Sequence, residues 1–316
     1  MKIVTLTLNP ALDKSTTTNR MVPEQKLRCG LLRTDAGGGG INVSKGIQKL
    51  GGKSVAVFPA GGPNGHLLER LLRDAGIETA VVETEAETRE NFSVTEEVSN
   101  YQYRFTMSGE PLSEAEARRC LELVEKHQPQ YWVVSGSLPP GIPDAFMEEI
   151  ALFAKKIGAR LILDTSGAPL QVAAQQGVYL LKPNLGELSA LSGVETLEMN
   201  QVDDAALNII HKGMCEVVVV SLGPQGALLA SRDGFEHIPA PMVRKQSTVG
   251  AGDSMVAGMT FGLSKKQSFR EMVQLGVACG SAATMNKGTE LFHVADVKKL
   301  LDWIKEYGER YRFTDF

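Results

Sequence analysis

Short runs of branched and aliphatic residues alternate along the chain with segments whose apolar residues recur at helical spacing. The segment 65–75, for example, carries leucines at the period of an α-helix. The runs that predict strands are apolar on both sides: Val55–Phe58, Tyr131–Val134, Leu161–Leu163, Val178–Leu181 and Val217–Val220. Strands of this kind, separated by helices, are typical of a parallel sheet that helices cover on two sides. The pattern predicts a three-layer α/β fold with a doubly wound, mostly parallel sheet.

Two segments depart from this alternation. Between residues 91 and 107, apolar residues alternate with polar ones around the polar turn 96–100, which predicts a β-hairpin with one buried face. Residues 14–34 also lack a helical period and are interpreted as extended. Together the two segments predict a small β-sheet that projects from the main domain. Because a two-stranded flap is marginally stable alone, we expect it to pack on the domain or to pair with a second subunit.

The composition disfavours several classes of protein. A hydrophobic content of 43% with 22% charged residues is typical of a globular chain. The formal net charge of -4, with dispersed lysines and arginines, gives no basic surface for nucleic acid. No apolar run approaches the roughly 20 residues that cross a bilayer, and the N-terminus predicts a strand rather than a secretion signal. The four cysteines lack metal-ligand spacing and indicate reduced thiols, as expected in the cytoplasm.

Polar or glycine-rich residues directly follow four of the predicted strands. These segments are 135–141, 164–167, 182–184 and 221–226. In open α/β sheets, ligands bind at the carboxyl ends of the strands. We therefore expect the four loops to line one ligand site.

The segment Thr248–Ser254, with the sequence TVGAGDS, precedes an apolar helix predicted from Met255 to Leu263. Glycines before a helix let its first N–H groups approach a phosphate, and the helix dipole favours negative charge there. A carboxylate at this place can accept a hydroxyl proton while the amides hold a transferring phosphoryl group. Alternatively, Asp253 is only a favourable acidic residue in a first helical turn. The segment alone leaves both interpretations open.

Four consecutive glycines, Gly37–Gly40, precede a second predicted helix. Such a run is entropically costly unless the backbone must turn tightly or approach a ligand, although a flexible hinge is an alternative. The dinucleotide fingerprint does not fit, because Asn42 or Val43 stands where its last glycine belongs. A Walker-type phosphate loop is also absent from the sequence. Nicotinamide chemistry and P-loop folds are therefore disfavoured.

Taken together, these motifs resemble those of the ribokinase-like (PfkB) carbohydrate kinases. The resemblance covers nearly the whole chain and rests on residues 5–13, 26–29, 37–43, 88–89, 136–141, 182–184, 221–226, 246–254 and 280–284. It implies one kinase domain over residues 1–316 with a discontinuous β lid from about 14–36 and 88–108. It also implies a homodimer formed through the lids.

The resemblance assigns roles on the sugar side. Asp253 would be the catalytic base, and the amides of Gly250, Ala251 and Gly252 would form the anion hole. The sugar phosphate would be bound by Asp13, Lys26 from the partner's lid, Gly38, Gly39, Asn42, Arg89 and Ser137. Taken singly, Asp13 is typical of a turn, Arg89 of a solvated hairpin and Ser137 of a loop cap.

The resemblance also assigns a nucleotide side. ATP would be bound by Lys182, Asn184, Ser221, Gly223 and Gly226. Glu187 would organise Mg²⁺ through water, as that ion prefers, although alone it is typical of a surface helix. A K⁺ site would be formed by Ser247, Val249, Ala283, Asn286 and Gly288. Lys287 and Glu290 stand where Gln and Arg are expected, which leaves K⁺ dependence open.

The expected reaction is transfer of the ATP γ-phosphoryl group to the 1-hydroxyl of fructose 6-phosphate. Tagatose 6-phosphate and fructose 1-phosphate are alternative substrates, because kinases for these sugars share the motifs. A non-catalytic sugar-phosphate sensor is an alternative from another class. Such a sensor would be expected to carry a damaged catalytic loop, whereas Gly250–Asp253 is intact.

Overall fold

Thirteen strands are present in the computed structural model, which describes residues 1–286, 288 and 290–310. In chain order they are β1 (Ile3–Leu6), β2 (Ala11–Thr18), β3 (Arg33–Gly37), β4 (Val55–Ala60), β5 (Glu78–Glu83), β6 (Arg89–Glu96), β7 (Gln102–Phe105), β8 (Tyr131–Ser135), β9 (Arg160–Asp164), β10 (Val178–Leu181), β11 (Cys215–Ser221), β12 (Ala227–Ser231) and β13 (Gly234–Ile238). Nine of them form a central sheet in the order β13-β12-β11-β10-β9-β8-β1-β4-β5. The seven strands from β11 to β5 are parallel, and β12 and β13 extend the sheet as an antiparallel edge.

Helices cover both faces of this sheet. They are α1 (Gly39–Lys49), α2 (Gly62–Asp74), α3 (Glu114–His127), α4 (Phe146–Lys156), α5 (Gly167–Gln175), α6 (Leu185–Ser192), α7 (Val202–His211), α8 (Ala251–Ser264), α9 (Phe269–Thr284) and α10 (Val294–Arg310). One apolar core joins the sheet to α3–α7, and a second joins its other face to α1, α8, α9 and α10. Successive residues of β8 alternate between them, since Trp132 enters the first core and Val133 the second. The predicted three-layer α/β fold is confirmed.

Each strand of the central sheet that was predicted from a doubly apolar run is present, and most extend by one or two residues. A capping box begins α3, where Ser113 and Glu116 make reciprocal hydrogen bonds. The antiparallel edge was not predicted; the two-residue turn Arg232–Asp233 joins β12 to β13, with Ser231 paired to Gly234. Among the described residues, none of the helices is long and apolar enough to span a membrane.

A second, four-stranded sheet has the order β3-β2-β6-β7 and lies beside the main one. Its outer pairs are antiparallel, whereas β2 and β6 run parallel. The expectation that residues 14–34 are extended is right at both ends and wrong between them. Residues 19–32 form a loop that returns to the sheet through one bridge between Thr18 and Cys29. We call this sheet the lid.

The register divides the lid into two faces. Asp13, Asp35 and Asn91 are paired across β3, β2 and β6, so they share one face, which we call the inner face of the lid. The opposite, outer face carries Phe92 and, on β7, Tyr103 and Phe105, which are 37% and 44% exposed. The prediction that the hairpin buries its apolar face is therefore wrong for β7 within a single chain. This part of the lid has an apolar surface open to solvent.

Candidate active site

The four loops at the carboxyl ends of β8, β9, β10 and β11 lie at one edge of the sheet, because these strands are neighbours and parallel. Hydrogen bonds join the loops directly. The N–H of Gly136 donates to the carbonyl of Asp164 at 3.1 Å, and Thr165 Oγ1 donates to the carbonyl of Gly136 at 2.8 Å. A further bridge pairs Asn184 with Ser221. The loops that the sequence placed together therefore form one connected edge.

The glycine run brings the start of α1 against the end of β8. Gly38 has a φ of 116°, a value that side chains disfavour. A Cβ on Gly39 would lie 2.3 Å from Ser135 Oγ and 2.7 Å from the Gly136 nitrogen. Only glycine permits this approach. The run is a tightly packed junction rather than a flexible hinge.

Asp253 lies in the first turn of α8, at the same place where α1 begins. Helix α8 follows Gly250, which has a φ of 71°, and it has no side-chain cap. Asn42 Nδ2 donates to Asp253 Oδ2 at 2.9 Å, and Ser135 Oγ lies 3.4 Å from Asp253 Oδ1. Three elements that are distant in the sequence thus hold one carboxylate.

The surroundings of Asp253 disfavour its charge. Burial, and then the negative charge of Asp164, raise its pKa from 3.8 to about 6. The hydrogen bond from Asn42, the positive charge of Lys182 and the hydrogen bond from Ser135 act in the opposite direction. A carboxylate with a pKa near neutrality is well matched to general base catalysis.

Lys182 supplies a buried positive charge next to this carboxylate. Its side chain is 7% exposed, and its Nζ lies 3.1 Å from Asp164 Oδ1. Burial lowers the pKa of Lys182, but its attraction to Asp164, with smaller contributions from Glu187 and Asp253, raises the pKa overall. A Cβ placed on Gly252 would lie 3.6 Å from Lys182 Nζ. The lysine therefore stands beside the first turn of α8.

The start of α8 is an anion-binding geometry. The first N–H groups of a helix have no acceptor within the helix, and the dipole makes this end positive. Ala251 N only approaches the Thr248 carbonyl, at 3.4 Å, and Gly250, Ala251 and Gly252 bring no side chain larger than a methyl group. With Lys182 adjacent, this end of α8 is suited to a phosphoryl group.

Asp13 lies on the inner face of the lid. Asn91 Nδ2 donates to Asp13 Oδ1 at 2.8 Å. The other carboxylate oxygen of Asp13, Oδ2, occupies the space that a side chain at Gly37 would take, since a Cβ there would lie 2.0 Å from it. Burial raises the pKa of Asp13, although the hydrogen bond from Asn91 and the charges of Lys45 and Arg89 oppose that rise.

Arg89 lines a cleft of about 520 Å³ between the lid and the loops after β8 and β9. Its Nη1 and Nη2 donate to the carbonyls of Met107 and Asn9, and its buried Nε has no hydrogen-bond partner in the described structure. Ser137 lines the same cleft and accepts from Asn9 Nδ2 at 3.3 Å. A guanidinium with an unused buried N–H is suited to an anionic ligand.

Lys26 is not brought to this cleft. It is exposed on the 19–32 loop. The expected role of Lys26 requires the lid of a second subunit, so that role stays a prediction.

Asn184 and Glu187, which were expected to bind ATP and Mg²⁺, form hydrogen bonds with one another. Asn184 caps α6 by accepting from the Glu187 N–H at 2.9 Å, and Glu187 Oε2 accepts from the Asn184 N–H at 2.8 Å. Their roles in binding ATP and Mg²⁺ stay predictions. Ser221 ends β11, where its N–H donates to the Pro183 carbonyl at 2.8 Å.

The two glycines after β11 differ in their surroundings. Gly223 has a φ of 59° and open space where a side chain would be. Gly226 has a φ of 99°, and a Cβ there would lie 2.0 Å from the Ile238 carbonyl oxygen. Gly226 is thus required by packing, whatever it contributes to nucleotide binding.

The residues expected at a K⁺ site come from two neighbouring segments. Ser247 Oγ donates to the Gly288 carbonyl at 3.1 Å and accepts from the Val249 N–H at 3.2 Å. The Ala283 carbonyl accepts from the Asn286 N–H at 3.2 Å. Lys287 lies outside the described residues. The side chain of Glu290 approaches Arg33 at 3.8 Å and His293 at 3.3 Å.

Sequence reasoning assigned no role to several residues that the fold brings to the site. Asp164 was recognised only as part of a strand-end loop, yet it pairs with Lys182. Asn91 orients Asp13, and Asn9 connects Arg89 with Ser137. On the lid, Arg104 Nη2 reaches Thr248 Oγ1 at 3.4 Å. Asp164 and Asn9 had a usable signal, because each is polar and follows an apolar strand.

A carboxylate at an uncapped helix start, a buried lysine beside it and an arginine-lined cleft define the class of phosphotransferases built on an α/β sheet. The model of the pfkB family carbohydrate kinases matches residues 7–294. The chain belongs to this family, and the resemblance predicted from its motifs is confirmed.

Two curated relatives and one solved structure show how similar it is to known members. The ATP-dependent 6-phosphofructokinase isozyme 2 of Escherichia coli K12 is 45% identical over 96% of this chain and 99% of its own length. The 1-phosphofructokinase of Xanthomonas campestris pv. campestris is 34% identical over 83% of this chain and 84% of its own. The crystal structure of phosphofructokinase-2 from E. coli in complex with potassium superposes with a TM-score of 0.93 at 45% identity, covering 96% and 99% of the two chains.

Proposed function

We propose that this chain is an ATP-dependent 6-phosphofructokinase that converts fructose 6-phosphate to fructose 1,6-bisphosphate. The observation that carries the proposal is Asp253, a carboxylate at the uncapped start of α8 with Asn42 and Lys182 beside it. The greater identity to a 6-phosphofructokinase than to a 1-phosphofructokinase supports the choice of sugar.

Asp253 acts as the general base in this proposal. Its pKa of about 6 leaves it ionised at neutral pH yet basic enough to accept the proton of the 1-hydroxyl. The hydrogen bond from Asn42 to Oδ2 fixes the orientation of the carboxylate and leaves Oδ1 directed toward Ser135. The oxygen of the sugar then forms a bond to the γ-phosphorus as the bond from that phosphorus to the β-γ bridging oxygen breaks.

Charge on the transferring phosphoryl group is stabilised by the start of α8 and by Lys182. The amides of Gly250, Ala251 and Gly252 form the anion hole, and Lys182 adds a positive charge next to it. Because Lys182 is buried and held by Asp164, it needs little reorganisation during the reaction. Asn184, Ser221, Gly223 and Gly226 bind the rest of ATP.

The sugar phosphate lies between α1 and the lid. Asp13 accepts hydrogen bonds from the sugar hydroxyls and Asn42 donates to them, while Gly38 and Gly39 allow the ring to approach the backbone. Arg89 and Ser137 bind the 6-phosphate in the cleft, with Lys26 contributed by a partner's lid. The unpartnered Nε of Arg89 supports this assignment.

Mg²⁺ fits the nucleotide side as an ion carried by ATP rather than held in a protein cage. No cluster of three metal-ligating His, Cys, Asp or Glu side chains occurs within the described ranges. Two carboxylates, Asp164 and Glu187, lie close enough to Lys182 to raise its pKa, and one oxygen of Glu187 is not used by the α6 cap. They would hold waters of the ion, which would neutralise charge on the phosphates when bound.

A monovalent cation fits the segments around Ser247, Val249, Ala283, Asn286 and Gly288, which offer carbonyl and hydroxyl oxygens. Glu290 directs its side chain to Arg33 and His293, so that only its main chain is left for such a site. K⁺ in the E. coli relative's crystal structure supports the assignment. A rate that is the same in K⁺ and in a bulky organic cation would contradict it.

The lid pairs with that of a second copy in this proposal. Tyr103 and Phe105 leave an apolar surface on β7 that is typical of an interface. Lys26, exposed on the neighbouring loop, would then reach the partner's cleft. A homodimer would therefore complete two sites at once.

A substrate panel tests the function. ADP release is measured with MgATP and fructose 6-phosphate, tagatose 6-phosphate or fructose 1-phosphate, and the highest kcat/KM is expected with the first. Asp253→Asn should lower kcat by at least about 100-fold while fructose 6-phosphate still binds. Asp233→Asn, on the exposed turn after β12, is the matched control. A sensor would bind a sugar phosphate without ADP release, and near-normal turnover of Asp253→Asn would exclude the proposed base.

A further inference from the structure

Two acidic side chains face one another on the inner face of the lid. Asp13 and Asp35 are direct partners in the antiparallel register of β2 and β3. Both are partly buried, and the side chain of Asp35 is 19% exposed. Like charges directly opposite in a sheet repel one another, and partial burial strengthens the repulsion. A positive charge near the pair therefore favours the ionised form of Asp13.

Lys45 supplies a positive charge next to this pair. It lies on α1, and its Nζ donates to the carbonyl of Ala36 at 2.8 Å. Ala36 follows Asp35 and is the register partner of Leu12, which precedes Asp13. The ammonium group is therefore held at the junction of β2 and β3, next to the strand segments that carry the two carboxylates. Two of its three N–H donors are not needed for the bond to Ala36.

The charged groups around this junction come from several elements. Asp35 and Arg33 lie on β3, Asp13 on β2, Arg89 on β6 and Lys49 on α1. Burial lowers the pKa of Lys45, whereas Asp35 and Asp13 raise it. Burial raises the pKa of Asp13 and the charge of Asp35 adds to the rise, whereas the hydrogen bond from Asn91 and then the charges of Lys45 and Arg89 lower it. Arg33 is engaged by Asp35 at 2.8 Å, so it cannot replace Lys45 at Asp13.

We propose that Lys45 is a positioning residue for sugar recognition, whose ammonium group, held at the junction of β2 and β3, compensates the charges of Asp13 and Asp35 and keeps Asp13 ionised as an acceptor for a sugar hydroxyl. The inference rests on the proposed function, in which Asp13 binds the sugar. A protonated Asp13 would offer a donor where the sugar requires an acceptor, and the substrate would lose a hydrogen bond to a charged group.

Lys45→Met tests this role, because it keeps the aliphatic stem and removes the charge. We expect KM for fructose 6-phosphate to rise about tenfold near neutral pH, with kcat less affected, since a hydrogen bond to a charged group is lost. The acidic limb of the kcat/KM profile should move to higher pH, and KM should recover as the pH is raised. Lys45→Arg should retain wild-type values. Lys49→Met, exposed one turn later on α1, is the matched control and should change neither.

A second variant separates charge compensation from a purely structural role. Asp35→Asn removes the repulsion, so the double variant Lys45→Met/Asp35→Asn should regain most of the lost affinity and the original pH limb. If Lys45 only braces the Ala36 carbonyl, the double variant will bind sugar as poorly as Lys45→Met, and the inference is overturned. An unchanged KM and pH profile in Lys45→Met also overturns it. Absence of ADP release from the wild-type enzyme would instead refute the proposed function.

Discussion

At the scale of single residues, the carboxylate of Asp253, the proposed base, carries an energetic cost in the folded protein. Its burial raises its pKa from 3.8 to about 6, so the folded protein favours the protonated form more than the unfolded chain does. Above pH 6 the group is ionised in both states, and the folded state bears the cost of desolvating the charge. Below the unfolded pKa it is protonated in both states, and the cost vanishes.

Asp253→Asn should therefore stabilise the fold at alkaline pH while it abolishes turnover. The gain in unfolding free energy is at most about 3 kcal/mol, because one pKa unit corresponds to about 1.4 kcal/mol. Thermal unfolding should show a higher Tm than wild type near pH 8 and little difference near pH 4. An equal change at both pH values would show that the gain does not come from the ionised carboxylate.

At the scale of elements, capping boxes begin helices both at the site and far from it. Asn184 with Glu187 starts α6, where ATP is proposed to bind, and Ser113 with Glu116 starts α3, which has no proposed role in binding. The same local geometry thus serves two places with different expected roles. Comparing them separates what a cap contributes to the helix from what it contributes to ATP binding.

Asn184→Ala and Ser113→Ala should each lower stability by about 1 kcal/mol through loss of the cap. Only Asn184→Ala is expected to raise KM for ATP, by about three- to tenfold, because it also removes an amide from the phosphate side. Denaturant unfolding and steady-state kinetics measure the two effects. If both variants leave KM for ATP unchanged, Asn184 is a cap alone.

At the scale of the whole molecule, the lid leaves the chain with an unequal surface. Its inner face carries the polar residues proposed to bind the sugar, whereas its outer face on β7 is apolar and exposed. A partner lid would cover the apolar face and supply Lys26. The same sheet would then form both the dimer interface and part of the proposed site.

Phe105→Asp should convert a lid-paired dimer to monomer and reduce activity at least about tenfold, since a charge in an apolar interface is costly. Phe235→Asp is the matched control, because Phe235 is 49% exposed on β13, at the far edge of the main sheet. Analytical ultracentrifugation measures the assembly and ADP release measures the activity. A Phe105→Asp variant that stays dimeric would exclude pairing through β7.

Much of this organisation could be predicted from the sequence, because it depends on local patterns. Doubly apolar runs located the parallel strands, and the glycines before Asn42 and Asp253 located two helix starts. The meeting of these starts could not be derived from the pattern itself, since residues 42 and 253 are brought together only by packing. The Asp13–Asp35 pair depends on strand register, and the exposure of Phe105 depends on which surfaces the fold leaves uncovered. Neither has a signal in local periodicity.

The junction at Gly38 has a mechanical consequence. Strand β3 ends at Gly37 and α1 begins at Gly39, so one residue separates the lid from the helix that carries Asn42. A single connecting residue does not let the lid and α1 move independently. Tilting the lid should therefore twist the start of α1, and with it the amide that holds Asp253. When a bound sugar closes the lid, we expect the closure to change the orientation of Asp253 through this connection alone.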